Sequence, residues 1–259
     1  MTAIENARQT HRTIGTITAN WTPLPNFTHR FTAGLDWVRE EDRRFLPRNS
    51  RGSYPINTGQ LNEARRGIER YTLDYLGNWE KNLSPKVVSN FSFGMQLVDT
   101  REELVFATGE GLAVNSNDVV TAASLRSGGQ EWKLDRSIGF IGQWQVGLNN
   151  RLFGQVGLRY DNASSFGREA SWVALPKVSA SWVMSEEPFW SFDFINTLRL
   201  RAAWGSTGRI PAAGSSLTTL QPAPYIEGTS ASAGAIPLNP GNPALKFERG
   251  SEVEAGFDA

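Results

Sequence analysis

Cysteine is absent from the 259 residues, so the chain has no disulfide framework, thiolate-bound zinc site or thiol nucleophile. Histidine is scarce: His11 and His29 are the only two, and neither has the partners or spacing of a metal site. Both are expected as polar strand residues, with no metal and no cofactor. No apolar run reaches the roughly 18 residues of a transmembrane helix. An excess of one charge is also missing, since 26 Lys and Arg balance 26 Asp and Glu. A polyanion binder needs a positive surplus to neutralise phosphates, so nucleic acid is not expected as a partner. Met1 to Arg12 contains Glu5, Asn6, Arg8, Gln9, Thr10 and His11 and no apolar core, which is not the composition of a secretory leader. Taken alone, these two missing signals point to a cytosolic protein, an expectation that presupposes a complete chain.

Aromatic residues and glycine are abundant instead: 9 Trp, 14 Phe and 25 Gly. Helical periodicity is nearly lacking, whereas alternation with period two recurs in segments near ten residues long, so the chain reads as all-β. Phe27, His29, Phe31, Ala33, Leu35 and Trp37 share one face, opposed by Thr28, Arg30, Thr32, Gly34 and Asp36. Tyr71, Leu73, Tyr75 and Trp79 alternate with Arg70, Thr72, Asp74 and Asn78, and Phe91, Phe93, Met95 and Leu97 alternate with Asn90, Ser92, Gly94 and Gln96. The pattern returns around Ile138 to Leu148, Leu152 to Asp161, Lys177 to Met184 and Leu198 to Gly205, with a weaker strand at Thr13 to Thr22 and another starting near Glu252. That makes about nine strands of the length a tilted membrane-spanning strand needs.

Connections alternate in length. Thr22 to Asn26, Lys81 to Pro85, Asn149 to Arg151 and Ser185 to Pro188 have the Pro, Asn and Ser chemistry of short turns. Arg39 to Gly67, Thr100 to Asp135, Asp161 to Ser171 and Thr207 to Ala244 are expected as long polar loops. Short turns at one end and long loops at the other are the pattern of an outer-membrane barrel. A soluble β-sandwich that binds glycans through exposed aromatics is the alternative, since its strands alternate too. Aromatics near strand ends (Trp21, Phe27, Trp37, Trp79, Trp204) and opposing faces rich in Gly, Ser, Gln and Arg favour lipid on one side and a wet lumen on the other.

Four blocks carry a family resemblance. Arg159-Tyr160-Asp161-Asn162-Ala163-Ser164-Ser165-Phe166-Gly167 is followed by Leu175-Pro176-Lys177-Val178-Ser179-Ala180-Ser181-Trp182 with Ser185-Glu186-Glu187-Pro188-Phe189. Leu198-Arg199-Leu200-Arg201-Ala202-Ala203-Trp204-Gly205-Ser206-Thr207-Gly208 comes next, then Asn242-Pro243-Ala244-Leu245-Lys246-Phe247-Glu248-Arg249-Gly250. In this order they resemble the barrel of TonB-dependent outer-membrane receptors, in particular the SusC/RagA-like group, although Phe247 stands where Trp or Pro is common.

The resemblance implies a plugged barrel of 22 strands, whose strands alone take roughly 200 to 240 residues. Residues 1–259 are therefore expected to be a central part of such a barrel domain, with no plug, TonB box or terminal strand. It also implies energised uptake of a bulky nutrient (glycan, peptide or chelate) at the cell outer membrane, with no enzymatic chemistry. The implied partners are outer-membrane lipid, the TonB complex acting through a plug outside this chain, and a SusD-like surface lipoprotein seated on long loops such as Thr207 to Ala244.

Candidate site residues follow from register and chemistry. Arg159, Arg199 and Arg201 share the lumen-facing register, where they either steer an anionic or hydroxyl-rich substrate or pair with carboxylates of a plug or neighbouring strand. Tyr54 and Tyr225, in long loops, are candidates for stacking on sugar rings. Glu40-Glu41-Asp42 and Glu102-Glu103 are expected as solvated carboxylates at loop mouths rather than acid/base or calcium sites. Gly109 and Gly111 lack the rest of a nucleotide-binding fingerprint and are expected in a flexible loop. The Asn82-Leu83-Ser84 and Asn90-Phe91-Ser92 triplets are expected to be chance occurrences.

Overall fold

The computed structural model describes residues 4–48, 58–115, 119–167, 172–192, 194–212, 214–227 and 230–259. The strands are β1 (Glu5–Leu24), β2 (Phe27–Leu46), β3 (Gln60–Ser84), β4 (Val87–Leu112), β5 (Ala123–Leu148), β6 (Leu152–Ala163), β7 (Val173–Val183) and β8 (Arg199–Arg209). Four short strands follow, β9 (Thr219–Pro222), β10 (Tyr225–Glu227), β11 (Ser230–Ser232) and β12 (Ala235–Asn239), and then β13 (Glu248–Asp258). One nine-stranded sheet runs β1-β2-β3-β4-β5-β6-β7-β8-β13, each strand beside its predecessor except for the excursion that carries β9 to β12. The order starts at β1 and ends at β13, so the sheet is not closed. A single sheet replaces the sandwich alternative, because no second sheet of comparable size packs on it among the described residues.

Turn chemistry sets the hairpins. Asn149 and Asn150 both adopt positive φ, 52° and 57°, as a tight hairpin turn between β5 and β6 requires, and Asn tolerates this region. The Arg151 amide closes that turn on the Leu148 carbonyl at 3.0 Å. Pro25-Asn26 and Pro85-Lys86 join β1 to β2 and β3 to β4 equally tightly. The last connection is longer than the sequence suggests. A 3-10 turn spans Met184–Glu186 and β8 does not begin until Arg199, so the expected turn at Ser185 to Pro188 is only the first part of this connection. Glu187 anchors it, accepting from Trp182 Nε1 at 3.0 Å and lying 3.5 Å from Arg151 Nη1.

The largest departure from the sequence reading concerns the loops. Among their described residues, Arg39 to Gly67 and Thr100 to Asp135 are mostly strand, since β2 continues to Leu46, β3 begins at Gln60, β4 continues to Leu112 and β5 begins at Ala123. The strand expected at Thr13 to Thr22 likewise extends over all of β1. These extensions lack alternation because both faces carry polar and charged residues, and a ladder of backbone hydrogen bonds needs no apolar face. Cross-strand pairs take the place of an apolar face. Arg8 bonds Asp42 through Nε at 2.5 Å and Nη2 at 2.8 Å, and Arg12 holds Asp36 the same way at 2.8 and 2.6 Å. The carboxylates Glu41 and Glu102 sit inside β2 and β4, near Arg65 and Arg66, rather than at loop mouths. Gly109 and Gly111 also belong to β4 rather than to a flexible loop.

Two compact units emerge from the packing. Met1–Thr16, Gly34–Tyr71 and Asp99–Leu134 form the first, with a small core of Phe45, Leu61, Leu112 and Ala123 against which Val120 packs. The second comprises Ile17–Ala33, Thr72–Val98 and Asp135–Ala259. On its apolar face the side chains are not covered by protein: Val156 is 51% exposed, Val178 45% and Trp144 48%. A contiguous exposed apolar surface of this kind marks contact with lipid or a partner. Trp21, Phe27, His29, Phe31, Tyr75 and Phe93 form a ring cluster on this unit, with His29 Nδ1 2.9 Å from the Tyr75 hydroxyl.

Candidate functional site

Residues directly opposite in antiparallel strands point to the same side of a sheet. Arg159 of β6 is opposite Leu175 of β7, and Ser181 and Val183 of β7 are opposite Arg201 and Arg199 of β8. Leu175, Ser181 and Val183 are even steps apart, so the three arginines lie on one face, away from Val156, Val178 and Trp204. The common face expected of the three arginines is the one found.

The three do not act as one group. Arg159 donates through Nε to Asp161 at 2.8 Å and through Nη2 to Gln96 Oε1 at 3.2 Å, and Gln96 Nε2 in turn donates to Asp74 at 2.9 Å. This chain runs from β6 to β4 and β3, passing over β5. It can do so because β5 has Gly139 opposite Asp161, where a Cβ would approach Arg159 Nη2 to 2.8 Å. Asp161 is buried, and its guanidinium partner offsets the desolvation of the carboxylate. Arg159 is thus occupied within the wall.

Arg199 and Arg201 line a different part of the same face, a concavity of about 810 Å³ shared with Gln145, Gln155, Ser179, Ser181, Glu254 and Asp258. Arg201 Nη2 is 3.5 Å from Asp258, while Arg199, opposite Asp258 in register, has no ion-pair partner among the described residues. The surface offers donors and acceptors of both signs, suited to polar contacts with a ligand or a packed polypeptide. The sequence reading passed over Asp74, Gln96, Gly139 and Asp161 as a network. Asp74 and Gln96 did stand in the polar register of their strands, but alternation does not say which polar residues meet.

Beyond the sheet, two of the motif blocks come together. The Gly167 amide donates to the Leu245 carbonyl at 3.1 Å, the Phe166 and Phe247 rings meet edge-on with centroids 6.1 Å apart, and Ser216 Oγ donates to the Phe166 carbonyl at 3.3 Å. Thr207 to Ala244 is not a plain loop: β9 pairs with β12 and β10 with β11, and the Ala223 amide joins the two pairs by donating to Gly234 at 2.8 Å. Tyr225, in β10, is exposed. Tyr54 lies outside the described residues.

Comparison with known proteins accords with this geometry. The chain is 29% identical over 73 residues to the TonB-dependent receptor SusC of Bacteroides thetaiotaomicron, covering 28% of this chain and 7% of that protein. It is 31% identical over 103 residues to the TonB-dependent receptor P39 of Formosa agariphila, covering 39% of this chain and 10% of that protein. The fold matches the solved structure of the RagAB peptide transporter with a TM-score of 0.88 at 16% identity, over 98% of this chain and 28% of that one. The RagAB peptide importer in its open-open state gives 0.86 at the same identity and coverage. This chain therefore spans a small part of the length of its relatives. With the family described as TonB dependent receptor-like, beta-barrel matching residues 3–258, the chain belongs to that family.

Proposed function

We propose that this chain forms part of the barrel wall of a TonB-dependent importer in the cell outer membrane, in a receptor that takes up a bulky nutrient such as a peptide, glycan or chelate. The observation that carries the reading is the two-sidedness of β5 to β8 and β13. Val156, Val178, Trp204 and Val253 are exposed on one face, and Arg159, Asp161, Gln155, Arg199 and Glu254 occupy the other. An apolar outer face and a polar inner face are what a lipid-embedded strand with a wet lumen requires. The short turns then lie at the periplasmic end, and the β9 to β12 excursion at the cell surface.

In this reading Arg199 and Arg201 meet either the substrate or a plug supplied by polypeptide outside this chain, on which the TonB complex acts. A surface lipoprotein of the SusD kind docks on the β9 to β12 excursion. Its composition supports that contact: between Ile210 and Phe247 only Glu227 and Lys246 are charged, while Leu220, Ile226 and Leu238 are exposed. Charge depletion around exposed apolar side chains is the signature of an interface core. Uptake of labelled peptide and glycan mixtures by cells producing the receptor tests the proposal. Accumulation that depends on both the receptor and TonB is expected; uptake unchanged in cells lacking TonB would exclude energised import.

A further inference from the structure

The excursion that bears the apolar hairpin is fastened at its base in an unusual way. Gly208, near the end of β8, lies beneath the Phe247 ring so closely that a Cβ there would overlap it. Gly167, in the β6 to β7 connection, lies against the backbone of Pro243 to Leu245 with no room for a side chain. Phe166 is buried between these contacts, its ring edge-on to Phe247 and its carbonyl bound by Ser216. The base of the hairpin is closed as well: Thr218 Oγ1 donates to the Pro240 carbonyl at 2.7 Å, and Gly241, at φ 66°, packs on the Leu217 backbone. Strand ends from three parts of the sequence therefore meet at two glycines and two phenylalanines.

We propose that this staple is a positioning element. Phe247 seated on Gly208, with Phe166 and Gly167 beside it, holds the β9 to β12 hairpin in one fixed attitude, so that a surface lipoprotein meets a preformed apolar face rather than a mobile loop. Fixing the attitude beforehand removes the ordering cost from binding. The lipoprotein arm of the inference rests on the function proposed above; the fixed attitude does not.

No cysteine within these 259 residues competes with an introduced label. Spin labels at Gln221→Cys on β9 and Gln155→Cys on β6, in the assembled receptor in outer-membrane preparations, report the distance between hairpin and wall. Tagged receptor without labels reports capture of a co-produced SusD-type lipoprotein. The parent is expected to give one narrow distance peak, as is the control Gly250→Ala, where a Cβ meets only Thr207 at 3.4 Å. Gly208→Val, which evicts the ring, and Phe247→Ala, which removes it without added bulk, are expected to lose the narrow peak and the captured lipoprotein while the barrel keeps its heat-resistant migration. Phe247→Ala decides the matter if Gly208→Val does not assemble. A narrow peak retained in Phe247→Ala, or lost capture with the peak intact, overturns the positioning role. A parent that captures no lipoprotein defeats the partner reading, and the distance measurement then judges the staple alone.

Discussion

Arg159 reaches Gln96 across an intervening strand because Gly139 leaves the path open. The guanidinium nitrogen that donates to Gln96 is the one a Cβ on Gly139 would crowd to 2.8 Å. Arg159 and Gly139 therefore form one device: a long cation on β6 and a bare position on β5 that lets it lie flat against the polar face of the sheet.

Gly139→Val is expected to push Arg159 off Gln96 and to strain Asp161, lowering the stability of the folded receptor by about 1–2 kcal/mol. Arg159→Met should cost a similar amount, because Asp161 is then left buried without its partner. Urea-induced loss of heat-resistant migration in gels measures both. Combining them should cost less than the sum of the two, since both act through the Arg159 side chain and its contact with Asp161.

Sidedness gives a stronger contrast. Val156→Arg places a charge on the face read as lipid-exposed and is expected to cost about 2–4 kcal/mol or to block assembly. Gln155→Arg, one residue away on the opposite face, should assemble normally. Folding yield into vesicles compares the two, and equal yields would contradict a lipid-facing β6.

In the β7 to β8 connection, Glu187 joins Trp182 to Arg151. Glu187→Ala is expected to destabilise by about 1 kcal/mol by leaving the indole N–H without an acceptor, whereas Glu187→Gln keeps that acceptor and loses only the attraction to Arg151. Urea midpoints should therefore rank the parent first, Gln next and Ala last.

The Arg8 to Asp42 pair lies in the strand extensions, beyond the roughly ten residues a strand needs to cross a bilayer. The hydrogen bond from Arg8, with its positive charge, holds the Asp42 carboxyl below the ordinary 3.8. A carboxyl lowered on folding contributes its stability above the unfolded value and loses it as pH falls through the lowered one. Amide exchange at the β1 and β2 extensions is therefore expected to accelerate as pH drops below 3.8 relative to an Asp42→Asn variant, which should lack this acid limb. Because the pair is exposed, added salt should weaken the difference.

How much of this was legible beforehand can be traced residue by residue. Alternation in Phe27 to Val38, Leu152 to Asp161 and Lys177 to Met184 set both the strands and the face of each side chain, because period two is a property of the extended backbone and does not depend on neighbours. The turn at Asn149-Asn150 was equally local, since its positive φ values suit asparagine, whereas the turn expected at Lys81 to Pro85 falls later, at Pro85-Lys86, with Lys81 to Ser84 still in β3. The nine-strand count and the shared face of Arg159, Arg199 and Arg201 followed from these. The charged strand extensions did not: Arg8, Asp42, Glu41 and Arg65 read as loop composition until their cross-strand partners are known. Nor did the fates of the arginines, for whether Arg159 is satisfied depends on Asp161, Gln96 and a gap at Gly139 on a strand between them. The meeting of Phe166, Gly208 and Phe247 depends in the same way on chain segments far apart in sequence. Local chemistry fixes conformation and facing. Pairing between distant residues decides which polar groups are used up within the wall, and here that pairing left Arg199 without a partner among the described residues and Arg159 bound.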